Sequence, residues 1–141
     1  MTATFSRVFE IHGRDFANAG RVSTEIKDLL KGMGINSSFV RRVAIASYEA
    51  EMNVVMYARH AIAVLTVTPG AISLELADEG PGIPDVEQAM QEGFSTATPE
   101  MREMRFGAGM GLPNIRRNSD GFRLDSMVGH GTRLSIRVDV R

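Results

Sequence analysis

The sequence predicts an α+β fold, a two-layer sandwich in which a mixed, mainly antiparallel sheet is covered on one face by helices. Two observations lead to this fold class. Segments with a helical spacing of apolar residues are interspersed with short segments of strand character, an order that favours helices packed on one sheet. The last segment, 132–140, alternates apolar with polar or charged side chains, which is typical of a strand with one face in water.

The first half of the chain predicts one strand and two helices. Residues 5–12 have strand character, and residues 15–32 have the pattern of a helix that ends in a glycine-containing turn. An Asn-Ser-Ser signal at 36–38 offers N-caps for a longer helix that reaches about Tyr57. Its apolar residues share one face, which must therefore meet a core, whereas Glu51 lies away from that face. The residues of this apolar stripe are Phe39, Val43, Ala46, Ala50, Val54 and Tyr57.

The second half predicts further strands, two short helices and a long loop. Residues 61–67 and 71–78 predict a hairpin, because the Pro-Gly pair between them is a turn signal. The remaining elements, in order, are a glycine- and proline-rich corner at 80–84, a helix near 85–91, a loop from 93 to 107, a helix at about 110–118, and strands at 122–128 and 132–140 joined by a turn at 129–131. A loop of that length is usually functional or disordered.

Composition limits what the chain can be. With 141 residues, 43% of them hydrophobic, it predicts one domain over 1–141 with a core of its own. A net charge of -1 without a block of like charges argues against direct nucleic-acid binding. The absence of cysteine excludes disulfides, thiolate metal sites and a cysteine nucleophile. No signal-peptide pattern and no membrane-spanning apolar run is present, so we expect no membrane partner and a cytoplasmic location.

Two polar residues of the second helix form the first candidate site. Glu49 and Asn53 are four residues apart, so their side chains lie on the same face. A carboxylate and a neutral oxygen ligand in this arrangement suit the orientation of a water or hydroxyl group and the coordination of Mg²⁺. Taken alone, such spacing is more often a solvated polar edge of a helix.

Asp78 is the second candidate, because it continues the core-facing row of apolar side chains in the strand 71–78. A buried aspartate is costly unless it is hydrogen-bonded, so the alternative is that the strand has ended and Asp78 is a turn residue. The Gly80-Pro81-Gly82 corner brings backbone close to it. Asp78 would then be able to accept a hydrogen bond from a purine amino group.

The third candidate is the glycine-rich run 107–112, which opens the last helix, where free backbone N–H groups suit a phosphate. It is neither a P-loop nor a Rossmann fingerprint, because no Lys-Ser/Thr pair follows and no clear strand precedes it. Arg102 and Arg105 lie in the loop before it. One of them is a candidate clamp for a terminal phosphate, with a solvated loop arginine as the alternative. The run Gly129-His130-Gly131-Thr132 alone is an ordinary hairpin turn.

Read in order, four motifs resemble the N, G1, G2 and G3 boxes of the GHKL ATPase superfamily, whose ATP-binding domain has the Bergerat fold. They are E-x-x-x-N at 49–53, D-x-G-x-G at 78–82, G-x-G-x-G at 107–111 and G-x-G-T at 129–132. The resemblance spans nearly the whole chain and is greatest for small bacterial kinases. Residues 78–96 look most like the stressosome switch kinase, and residues 98–112 look more like the anti-sigma-factor serine kinases.

This resemblance implies a role for each motif residue. Glu49 would polarise the acceptor hydroxyl, Asn53 would coordinate Mg²⁺, and Asp78 would bind the amino group of adenine. Thr132 would support Asp78 through a hydrogen bond or a water. The other nucleotide contacts that the resemblance implies are Gly80, Gly82, Arg105, Gly107, Gly109, Gly111 and Leu112.

The implied function is an ATP- and Mg²⁺-dependent serine/threonine protein kinase of the anti-sigma or partner-switching type. Its implied substrate is a STAS-domain antagonist, and a sigma factor, a phosphatase and a homodimer remain open as partners. The alternative is a non-catalytic, nucleotide-gated binding module, and a slow ATPase without a protein substrate is a third reading. Glu49 favours catalysis, since a pure binding module would not need a base.

Overall fold

The computed structural model describes residues 4–80, 90 and 111–140. It contains a five-stranded sheet and three α-helices, which confirms the predicted α+β fold. In chain order the elements are β1 (Phe5–His12), a 3₁₀ turn (Phe16–Asn18), α1 (Arg21–Gly32), α2 (Ser37–Tyr57), β2 (His60–Val67), β3 (Ala71–Glu79), α3 (Gly111–Arg117), β4 (Gly121–Met127) and β5 (Gly131–Asp139). The helix predicted near 85–91 and the loop predicted from 93 to 107 lie outside the described residues, apart from residue 90.

The strands are ordered β1-β2-β3-β5-β4. Every pairing in this described sheet is antiparallel, whereas the sequence predicted a mixed, mainly antiparallel sheet. The predicted hairpin is present, since Val67 pairs with Ile72 across the turn between β2 and β3. Because β5 is inserted between β3 and β4, Ala77 near the end of β3 pairs with Arg133 near the start of β5. This register brings Asp78 at the end of β3, where the second motif begins, next to the fourth motif at 129–132.

The core lies between one face of the sheet and the helices. Alternate residues of β3 and β5 are buried, and the intervening side chains point away from the core, as the alternation in 132–140 predicts. Burying each large aliphatic side chain contributes roughly 1.5–3 kcal/mol, so these rows hold the two layers together. The buried row of the two strands consists of Ile72, Leu74, Leu76, Leu134, Ile136 and Val138.

α1 begins later than the pattern of residues 15–32 predicts. Residues Phe16–Asn18 form a 3₁₀ turn, and the α-helix starts at Arg21. Between them, Gly20 has a φ of 94°, a left-handed conformation that glycine adopts without steric cost and that interrupts a continuous helix. The apolar spacing continues across this break, so the periodicity alone did not reveal it.

Glu51 holds the start of α1. Its side chain accepts hydrogen bonds from the backbone N–H groups of Gly20 (3.1 Å), Val22 (3.2 Å) and Ser23 (2.9 Å). These are among the N–H groups that a helix leaves without partners in its first turn, and a carboxylate there is also favoured by the helix dipole. Although Glu51 lies off the apolar stripe of α2, it is only 3% exposed. This polar contact joins α1 to α2.

α2 begins as predicted, because the Asn36 side chain caps it by accepting a hydrogen bond of 2.9 Å from the N–H of Ser38. Its second half is enclosed on nearly all sides. Of the residues from Ala50 to Met56, all are buried except Asn53, which is half-buried. Within the described residues, no helix combines the length and the apolar character required to cross a lipid bilayer.

Candidate functional site

The first half of the candidate site is the contact between α2 and α3. The side-chain Nδ2 of Asn114 donates a hydrogen bond of 2.8 Å to Oε2 of Glu49. Asn114 is itself held at its other side-chain atom, because Arg117 Nη1 donates to Asn114 Oδ1 at 3.2 Å. One oxygen of the half-buried Glu49 carboxylate is thereby fixed. Within the described part of the chain, no hydrogen bond engages the other oxygen, Oε1.

Asn53 meets the same helix one turn further along α2. A methyl group placed at Gly111 would lie 3.5 Å from Oδ1 and 3.7 Å from Nδ2 of Asn53, so the first residue of α3 lies beside the carboxamide. Glu49 and Asn53, which the spacing places on one face, thus both face α3. Leu112, the next residue, is half-buried and packs against the hydrophobic core.

The second half of the site lies where β3 ends. The Asp78 carboxylate continues the buried row of β3, and its Oδ1 accepts a hydrogen bond of 2.9 Å from the backbone N–H of Thr132. Burial raises the pKa of Asp78 above its ordinary value, and the hydrogen bond from Thr132 opposes this rise. The Thr132 hydroxyl is 2.9 Å from the Ser126 hydroxyl. The contact with Asp78 is therefore made by the backbone of Thr132, and the side chain has a different partner.

Two glycines let the main chain approach Asp78 closely. Gly131 has a φ of 110°, and a Cβ there would collide with the backbone carbonyl of Asp78 and lie 3.0 Å from its Oδ1. A Cβ at Gly80 would lie 3.3 Å from the same Oδ1 and 3.1 Å from Cα of Ala58. Side chains at these positions would displace the carboxylate or close the space beside it. The corner predicted after Asp78 continues through 81–84, which lie outside the described residues.

α2 connects the two halves. Glu49 and Asn53 lie in its second half, and Ala58 at its C-terminal end touches Gly80 beside Asp78. At 1.5 Å per residue, Glu49 and Ala58 are about 13 Å apart along the helix axis. The polar groups at Glu49 and at Asp78 are therefore both positioned against one continuous helix, whose second half is largely buried.

The remaining predicted contacts are not placed. Gly82, Arg102, Arg105, Gly107 and Gly109 lie outside the described residues. In the segments 4–80 and 111–140, no group of three or more His, Cys, Asp or Glu side chains is arranged to hold a metal ion. Asn114 was not among the site residues predicted from the sequence, because only the packing of α3 on α2 shows that it meets Glu49.

Comparison with known proteins identifies the family to which this arrangement corresponds. The family model for the histidine kinase-like ATPase domain matches residues 14–138. The chain is 33% identical over 112 residues to the serine/threonine-protein kinase RsbT of Bacillus subtilis (strain 168), covering 77% of this chain and 78% of that protein.

Anti-sigma F factors are also similar. That of Caldanaerobacter subterraneus subsp. tengcongensis is 35% identical over 95 residues, which is 64% of this chain and 63% of that protein. That of Heyndrickxia coagulans is 27% identical over 134 residues, which is 95% of this chain and 82% of that protein. These matches confirm the resemblance to the small kinases of the superfamily, since the relatives include a serine/threonine-protein kinase and anti-sigma F factors.

Proposed function

This chain belongs to the histidine kinase-like ATPase domain family, and we propose that it is a serine/threonine protein kinase that transfers the γ-phosphate of ATP to a hydroxyl group of a partner protein. The observation that carries the proposal is the Glu49 carboxylate, held by Asn114 at 2.8 Å on the helix that also presents Asn53. The printed names of the relatives support it, since one is a serine/threonine-protein kinase and others are anti-sigma F factors.

Asp78 would bind the adenine. Its Oδ1 already accepts the N–H of Thr132, and its second oxygen would accept a hydrogen bond from the exocyclic amino group of the base. A carboxylate in this position favours a base that presents an amino group, because a buried acceptor left unpaired is costly. Gly80 and Gly131, which approach it closely, carry no side chain of their own to fill the space beside the carboxylate.

Asn53 would supply a ligand for Mg²⁺. The ion prefers oxygen ligands and is usually bound by one or two protein groups together with substrate phosphates. A half-buried carboxamide next to the first residue of α3 fits this requirement, and its neutral oxygen adds no negative charge beside the phosphates. When bound with ATP, the ion would neutralise part of the charge on the β- and γ-phosphates.

Glu49 would act as the general base. Its free Oε1 would accept the proton of the serine or threonine hydroxyl as the hydroxyl oxygen forms a bond to the γ-phosphorus. The bond between the γ-phosphorus and the β,γ-bridging oxygen breaks, and ADP leaves with its electron pair. Asn114 would keep the carboxylate in one orientation during this step, because it holds Oε2. The proton thus remains on Glu49 until it is released to solvent.

We propose a STAS-domain antagonist protein as the substrate, with partner switching as the biological role. The names of the anti-sigma F factors favour a second candidate, in which the chain binds a sigma factor under the control of ATP or ADP without phosphorylating anything. The kinase hypothesis and the binding-module hypothesis differ in one measurable product. Only the kinase leaves a covalent phosphoester on a partner.

The test is phosphoryl transfer to the STAS-domain proteins of the same organism. We expect incubation with γ-labelled ATP and Mg²⁺ to give an acid-stable, base-sensitive phosphoester on one of them. Glu49→Gln should slow the labelling by roughly 10² to 10⁴ while ATP binding is retained. If every candidate stays unlabelled while binding of a partner still differs between ATP and ADP, the kinase proposal is wrong. The nucleotide-gated binding module then replaces it.

A further inference from the structure

An open groove lies between the second half of α1 and the part of α2 from Ser37 to Glu49, with a volume of about 530 Å³. The charged and large apolar side chains that line it include Lys27, Lys31, Arg41, Ile45, Tyr48 and Glu49. Glu49 is the residue proposed above as the general base. The groove is therefore continuous with the candidate site.

Three cations line the groove. Lys27, Lys31 and Arg41 are exposed, and none of them forms an ion pair with an acidic side chain in the described part of the chain. Other arginines of the same two helices are paired, because Arg21 contacts Glu25 at 3.2 Å and Arg42 contacts Asp120 at 3.0 Å. The helix dipole favours Lys31 in the last turn of α1, but it accounts for neither of the other two cations.

Large apolar side chains are exposed between these cations and Glu49. Ile45 is 37% and Tyr48 42% exposed, although both lie on a helix whose other apolar residues are mostly buried. They are three residues apart and therefore neighbours on one face. Single exposed apolar residues are common on protein surfaces. Here, however, an aromatic and an aliphatic side chain lie together beside three cations. This is the arrangement of a protein interface, which has an apolar centre and a polar rim.

We propose that this groove is the docking surface for the protein substrate, and that it takes a segment carrying acidic side chains and an apolar side chain beside the acceptor serine or threonine. Charge complementarity selects an acidic occupant, because opposite charges steer association and fix the register of the bound segment. Tyr48 and Glu49 both line the groove, and Ile45 lies one helical turn before Glu49 on the same face, so a segment that packs on these two apolar side chains lies next to the carboxylate. The proposal rests on the proposed function, since it takes Glu49 as the base.

The test compares two charge-reversal variants. Lys27→Glu/Arg41→Glu changes the groove, and Arg123→Glu/Arg133→Glu makes the same change in net charge at exposed positions of β4 and β5. Affinity of each for the STAS-domain proteins of the same organism is measured by calorimetry with a non-hydrolysable ATP analogue. For the partner that serves as substrate, KM and kcat are measured separately. Nucleotide binding without a partner reports whether the ATP site is intact.

We expect the groove variant to weaken partner affinity and raise KM by about tenfold or more, with kcat at saturation little changed, and the control to change them by less than about twofold. Higher salt should raise the KM of the wild type more than that of the groove variant. Reversing an acidic residue of the partner to lysine should restore binding to the groove variant.

The docking proposal is overturned if the groove variant binds its partner as tightly as the wild type, or if both variants lose affinity equally. It is also overturned if the groove variant changes only self-association, measured by light scattering, because the occupant is then a second copy of this chain. Because binding is measured without transfer, a partner that binds the groove but is never labelled contradicts the kinase proposal alone. Failure of every STAS protein to bind the wild type contradicts the partner class.

Discussion

The side-chain amide of Asn114 donates a 2.8 Å hydrogen bond to Oε2 of Glu49 and so ties α3 to the carboxylate on α2. If Glu49 is the base, this bond holds its free oxygen toward the acceptor hydroxyl. We expect Asn114→Leu, which keeps the size of the side chain, to lower the transfer rate by about tenfold, because misorientation of a catalytic group is costly. ATP affinity, measured by calorimetry, should change little.

The matched control for this prediction is Arg116→Ala, which alters an exposed residue of the same helix. It should leave both the transfer rate and ATP affinity unchanged. An Asn114→Leu protein that transfers phosphate at the wild-type rate would show that the hydrogen bond is only structural.

The second prediction separates the two motif residues of α2. Glu49→Gln keeps an acceptor for Asn114 but removes the base, so we expect ATP binding to be retained and the single-turnover transfer rate to fall by roughly 10² to 10⁴. Asn53→Ala removes the proposed Mg²⁺ ligand and should weaken Mg-ATP binding itself. Equal transfer rates for the wild type and Glu49→Gln would exclude Glu49 as the base.

The third prediction concerns Asp78, where binding and stability are expected to diverge. Asp78→Asn can still accept the N–H of Thr132, but it presents a donor where the adenine amino group needs an acceptor. We expect ATP affinity to fall by about 1 to 3 kcal/mol, the usual cost of a mispaired buried polar group. Calorimetric titration with ATP measures this, and unchanged affinity contradicts the assignment of Asp78 to the base.

The stability of the nucleotide-free Asp78→Asn protein should move in the opposite direction. Because burial raises the pKa of Asp78 in the folded state, its stabilising contribution is fully present below about pH 3.9, the pKa of an unfolded chain, and is lost as the pH rises through the folded pKa. At pH 7 the charged carboxylate is therefore unfavourable for folding. Denaturant unfolding should find the variant at least as stable as the wild type at pH 7, with this advantage shrinking toward pH 4.

Local patterns were sufficient to predict most of the fold. The alternation in β5, the Pro-Gly turn between β2 and β3 and the Asn36 cap depend on neighbours in sequence, and the structure has all three. The break at Gly20 was missed because the apolar spacing continues across it. The left-handed conformation of Gly20 separates the 3₁₀ turn from α1, and the composition of this segment does not reveal the break.

Contacts between distant elements were not predictable in the same way. Asn114 lies 65 residues from Glu49, and the backbone of Gly20 lies 31 residues from Glu51, so neither pairing leaves a signal in local spacing. A contact between Thr132 and Asp78 was predicted, but only the structure shows that the backbone N–H of Thr132 makes it. The motif order identified which residues belong together, whereas their partners depend on tertiary packing.

The fourth prediction tests the buried link between α1 and α2. Glu51 accepts three backbone hydrogen bonds, and Glu51→Gln would replace one acceptor oxygen by a donor that faces N–H groups. We expect the free energy of unfolding to fall by about 2 to 3 kcal/mol, as for hydrogen bonds to a charged group. Glu25→Gln is the control, because the ion pairs that Glu25 forms with described residues are exposed, and such pairs are worth about 0 to 1 kcal/mol. Similar losses in the two variants would contradict a special role for Glu51.

The last prediction uses two glycines of one turn to separate backbone strain from crowding at Asp78. Gly129 has a φ of 83° with no atom within 4 Å of an added Cβ, so Gly129→Ala should cost only the left-handed strain, about 1 to 2 kcal/mol. Gly131, with a φ of 110°, adds a collision with the Asp78 carbonyl and a 3.0 Å approach to Oδ1. Gly131→Ala should therefore lose more stability in denaturant unfolding. It should also bind ATP at least about tenfold more weakly, because Asp78 must shift. Gly129→Ala should retain ATP affinity, and equal affinities in the two variants would show that the backbone beside Asp78 does not shape the adenine site.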